Sequence, residues 1–224
     1  MGRADRESTQ NLGPCVVVNG LDGQVSGGVK VPNRFGQPGT AIHFTGRANG
    51  TGLDEGVVVP HDTRLSNNSM TELTLVAWVR TSNVAGFDNG IQRLVSKGRS
   101  FEYNFSLYLQ NGRAAVTAWQ FAGADHLIVR QGTSLVADSR WHLLVGVIRN
   151  GAFAQLYVDG VLEGEDLTPT GTWNRTGLGD FTSGRYPDID DWNEPYDGDI
   201  DDVRVYRRAF TAQEVASLYA SERP

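Results

Sequence analysis

The chain has 224 residues, enough to enclose one full hydrophobic core. Its 26 acidic residues outnumber 20 basic ones, and the formal net charge of −6 argues against nucleic acid or an anionic membrane as partner. The single cysteine, Cys15, excludes an internal disulfide, and no run of about 18 apolar residues offers a membrane span.

Residues 1–13 are charged and lack an apolar core segment, which predicts a disordered or tag-like lead rather than a signal peptide. One domain is expected over 14–224. Short apolar runs at 15–18 (CVVV), 40–45 (TAIHFT) and 56–60 (GVVVP) predict strands bounded by Gly-rich turns. Residues 73–81 (LTLVAWVRT) place Leu73, Leu75, Ala77 and Val79 on one face, with Val76 and Trp78 on the other. Apolar surface on both faces predicts a central strand. A further strand is expected at 94–98.

Three dipeptides then mark hairpins, because Asn-Gly and Asp-Gly supply the positive φ that type I′ turns require. Asn111-Gly112 separates strands at 103–110 and 113–121. Asn150-Gly151 and Asp159-Gly160 separate strands at 141–149, 152–158 and 161–165. Consecutive antiparallel neighbours predict sheet packed on sheet. The loop 184–198 (GRYPDIDDWNEPYDG) is long, acidic and aromatic, as functional loops are.

A strand is expected at 200–206, followed by Thr211 and Glu214 spaced as a capping box. The helix it opens carries Val215, Leu218 and Tyr219 on one stripe. The stretch G-D-I-D-D-V-R-V-Y (198–206), with RRAFTAQEVASLY after it, resembles the closing signature of the laminin-G-like, concanavalin A-like jelly-roll domains. Ala77-Trp78-Val79 and Asp138 to Trp141-His142 match two further motifs of that family. The fold class expected is therefore all-β: a two-sheet antiparallel β-sandwich with a short C-terminal helix.

The resemblance implies a non-catalytic glycan-binding module of a larger extracellular or cell-surface protein. A polysaccharide-degrading enzyme and a protein-interaction domain are the alternatives on the same fold. Catalysis has little support, since Asp188 to Glu194 departs from the family's E-x-D-x-x-E and the four histidines are scattered. His142 reads as a satisfied strand histidine. Sugars stack on aromatic rings, and the candidate platforms are Trp192, Trp119, Tyr108, Tyr186 and Tyr196. The acids of the last strand, Asp199, Asp201 and Asp202, are the candidate ligands of a structural Ca²⁺, a hard cation that takes carboxylate oxygens.

Overall fold

The computed structural model describes residues 16–17, 21, 23–46, 55–66, 70–98, 105–121, 125–167, 179–187 and 194–224. The strands, in chain order, are β1 (Val16–Val17), β2 (Gln24–Ser26), β3 (Val29–Val31), β4 (Ala41–Thr45) and β5 (Gly56–Val59). They continue with β6 (Glu72–Arg80), β7 (Ile91–Lys97), β8 (Phe105–Gln110), β9 (Arg113–Phe121) and β10 (Asp125–Gln131). The remainder are β11 (His142–Arg149), β12 (Phe153–Val158), β13 (Val161–Asp166), β14 (Phe181–Ser183) and β15 (Asp197–Tyr206), before helix α1 (Ala212–Glu222).

Two sheets face each other. One runs β13-β12-β11-β6-β15-β4-β3, with β1 added in parallel to β15, and the other runs β10-β9-β8-β7-β14-β5-β2. Between them lie Leu73, Leu75, Ala77 and Val79 of β6, Phe105, Leu107 and Leu109 of β8, Val116 of β9, and Ile200, Val203 and Val205 of β15. Gly146 of β11 lets the sheets close here, for a Cβ on it would stand only 2.7 Å from Val116 Cγ2.

The two-faced strands carry a second apolar layer. Val76 and Trp78 of β6 and Leu143, Val145 and Val147 of β11 face away from the sandwich and are covered by Phe210 and by Val215 of α1. Trp78 stacks on Tyr219, 6.0 Å between centroids. The helix therefore docks on the stripe its periodicity marks. Its capping box is complete: the Thr211 hydroxyl accepts from the Glu214 N–H at 3.2 Å, and the Thr211 N–H donates to the Glu214 carboxylate at 2.8 Å. Thr211→Ala is expected to cost about 1 kcal/mol in a urea melt; an unchanged midpoint would contradict a working cap.

The Asn111-Gly112 and Asp159-Gly160 turns have positive φ at both positions, as type I′ requires. The third differs. At Asn150-Gly151 φ is positive only at Gly151, and the Ala152 N–H closes the turn on the Arg149 carbonyl, so this hairpin is not type I′.

Candidate functional site

In β15 the residues Ile200, Asp201, Asp202 and Val203 cannot alternate evenly and still put both aliphatics in the core. The strand resolves this with a bulge: Asp201 pairs with Trp78 and Arg204 with Val76, leaving two residues opposite Ala77. Asp202 takes the positive φ of 50° that the bulge needs, a conformation Asp tolerates better than most residues. Asp199 and Asp201 stay on the outer face beside His43, Arg80 and Trp78, their register partners on β4 and β6.

Arginines compensate these acids. The Arg34 side chain, 4% exposed, reaches Asp201 at 2.6 Å and Asp202 at 2.8 Å through one nitrogen. Its Nε donates to the Glu222 carbonyl at 2.8 Å, and its guanidinium lies 4.6 Å from the Phe35 ring centroid and 4.7 Å from that of Trp78. Burial, then the Asp202 charge, push the Asp201 carboxyl up to about 6 against the pull of Arg34. Asp199 accepts from Arg80 Nε at 2.7 Å on one oxygen and pairs with His43 Nδ1 at 2.8 Å on the other. Among the described residues no group of three or more His, Cys, Asp or Glu could hold a metal ion. Asp199, Asp201 and Asp202 each give one carboxylate oxygen to a guanidinium, that of Arg80 or of Arg34.

Beside Asp199 the sheet end opens into a cleft of ≈ 310 Å³ lined by His43, Arg80, Thr81, Ser82, Ser139, Asp197, Gly198 and Asp199. Arg80 is held from two sides, by the Asp199 carboxylate and by the Trp141 ring, 5.0 Å from its centroid. Asp197 is anchored through its carbonyl, which accepts from the Thr81 hydroxyl at 2.5 Å, and its carboxylate accepts from Asn83 at 3.1 Å. Gly198 makes the floor possible, since at φ 150° a Cβ would lie 2.4 Å from the Arg80 carbonyl.

The rim residue Ser139 has φ 70°, and its N–H donates to the Thr81 carbonyl at 2.9 Å. It sits in a turn clasped by His142, whose Nε2 meets Asp138 at 3.0 Å and whose Nδ1 meets Asp159 at 2.7 Å. Carboxylates only accept, so both bonds need the doubly protonated ring. Burial works to lower the imidazole pKa, but the Asp159 and Asp138 bonds and charges together raise it above 6.5. The native state then holds this proton more tightly than the unfolded chain. The clasp's stabilisation is therefore complete below about pH 6.5 and lost as pH rises through the folded value. In thermal melts the gap between wild type and His142→Gln should narrow from mildly acidic to alkaline pH; a constant gap would exclude the charged clasp.

The outer face of the other sheet is also polar. Arg93, 9% exposed, pairs with Glu194, 3% exposed, and donates to Ser106 at 3.1 Å. Its guanidinium lies 4.8 Å from the Tyr108 centroid and 5.4 Å from that of Tyr186.

The structure thus joins two of the predicted platforms, Tyr108 and Tyr186, around an arginine, yet both are buried and turn no open ring face outward. Tyr196 is wholly buried, its hydroxyl donating to the Asp199 carbonyl at 3.3 Å. Trp192 and the side chain of Trp119 lie outside the described residues. Trp141, within the second of the family motifs, is partly buried against the outer apolar layer. His43, Arg80 and Ser139 escaped the sequence reading. Arg80 alone left a signal, by alternating onto the same face as Trp78.

A two-sheet antiparallel sandwich of this strand order, closed by a short helix, defines the concanavalin A-like class of fold. The model of the concanavalin A-like lectin/glucanases superfamily matches residues 22–216, and the chain belongs to that family. No curated protein sequence matches it. Among solved structures, the binding domain of Paraclostridial Mosquitocidal Protein 1 is similar at 17% identity and TM-score 0.64, covering 91% of this chain and 48% of that one. The binding domain of botulinum neurotoxin DC, in complex with SialylT, is similar at 12% identity and TM-score 0.62, covering 90% and 46%. The CBM40 of Ruminococcus gnavus IT-sialidase, bound to α2,3-sialyllactose, is similar at 18% identity and TM-score 0.52, covering 67% and 83%. The chain spans about half the length of the toxin binding domains, 48% and 46%.

Proposed function

We propose that this domain is a non-catalytic glycan-binding module of a larger extracellular or cell-surface protein, and that its cleft is where the glycan binds. The observation that carries this reading is the fixed polar array of the cleft. Arg80 is immobilised by Asp199 and Trp141, while Thr81, Ser82, Ser139, His43 and Asp197 supply donors and acceptors around one opening. Preorganised groups of both kinds suit a ligand rich in hydroxyls, since little side-chain freedom is lost on binding. The family and the glycan-bound neighbours support the same class. Against hydrolysis stands the pairing of Asp199 with Arg80 on one oxygen and His43 on the other, which disfavours it as the acid or base partner of Asp197.

The test is calorimetric titration with a panel of oligosaccharides, with product analysis, in Ca²⁺ and in EDTA. Saturable binding without product, equal in both buffers, is expected. Ser82→Trp, substituted from the exposed rim, should abolish binding while leaving stability within about 1 kcal/mol. Undiminished binding by that variant would move the site elsewhere, and product formation would overturn the non-catalytic reading.

A further inference from the structure

Resting on the reading of the cleft as a glycan site, we propose that it selects neutral saccharides and rejects those that present a carboxylate. Two carboxylates, Asp197 and Asp199, line it against one guanidinium, that of Arg80. The charge of Arg80 is already balanced: its Nε, at 2.7 Å, and one terminal nitrogen, at 2.6 Å, both bind the same Asp199 oxygen. Nor does His43 restore the balance. Its Nδ1 faces the other Asp199 oxygen at 2.8 Å and must donate there, so that nitrogen too is turned to Asp199.

Arg140, which follows the lining residue Ser139 in the chain, is paired with Asp138 at 2.5 Å. The lining therefore offers carboxylate oxygens beside its few donors. A sugar hydroxyl can donate to the former and accept from the latter, whereas a carboxylate only accepts and meets like charge. The net charge of −6 on the whole chain adds to that repulsion. This sets the domain apart from neighbours of its own fold whose ligands are sialylated.

The selectivity resides in residues that can be changed singly. Asp199→Asn would leave the Arg80 charge unbalanced, and Asp197→Asn removes a partly buried charge while its amide oxygen can still accept from Asn83. The probes are matched pairs, lactose beside α2,3-sialyllactose and xylo-oligosaccharide beside its glucuronylated form, titrated into wild type and both variants at low and high salt. Wild type should favour the neutral member by about tenfold or more at low salt, and less as salt screens the repulsion. Each variant, with its melting temperature as the check on folding, should narrow that ratio. Equal or tighter binding of the acidic member by wild type would overturn the selectivity while leaving the glycan site standing. A ratio unmoved by both folded variants would overturn the assignment to these carboxylates. Silence of every pair would overturn the glycan site itself and this inference with it.

Discussion

Arg34→Met is expected to cost about 3–5 kcal/mol above neutral pH, because it leaves a buried carboxylate without its counter-charge. Methionine preserves much of the packing between Phe35 and Trp78, so the loss reports charge more than volume. The pH dependence follows from Asp201. Its folded pKa, about 6, lies above the ordinary 3.8, so the native state takes up a proton as pH falls through that window. A protonated Asp201 no longer needs a cation, and the deficit of the variant should shrink toward pH 5. Urea titrations of both proteins on either side of pH 6 check this. A deficit independent of pH would mean that Arg34 acts through the Glu222 carbonyl and its two aromatic neighbours, not through Asp201.

On the opposite sheet Arg93→Met should be comparably severe, again about 3–5 kcal/mol, since it strands Glu194 in a nearly closed setting. The pair itself is a different matter. Two desolvated ions return little net stability over apolar residues of similar size, so the double substitution Arg93→Met with Glu194→Met should recover most of the loss. A double-mutant cycle read by urea midpoints measures the coupling. If the double variant is as unstable as the sum of the two single ones, the groups do not form a pair in solution.

Much of this architecture is legible in local pattern. Thr211 and Glu214 are three residues apart and close a cap through their own backbone, so no distant partner is needed to recognise it. Asn111-Gly112 and Asp159-Gly160 dictate their turns for the same reason. The two-sided apolar pattern of β6 and β11 already demanded a layer on each face, and α1 with Phe210 supplies the second one.

What escaped the sequence was set by non-local pairing. β14 is three residues long and owes its place to β5 and β7 on either side, while β2 and β3 are edge strands of three residues with no period to read. The bulge at Asp202, which brings Ile200 and Val203 into one core, interrupts the strand expected at 200–206 and appears only beside β6. Asp199, Asp201 and Asp202 form an acidic run in sequence, the pattern of a cation site. In three dimensions Arg34, 167 residues from Asp201, and Arg80, 119 residues from Asp199, neutralise that run. Composition and spacing determined that this chain would be a β-sandwich closed by a capped helix. Which carboxylates remain open to a ligand was decided by tertiary structure alone, because charge compensation acts through space and the compensating arginines come from strands and loops remote in the chain.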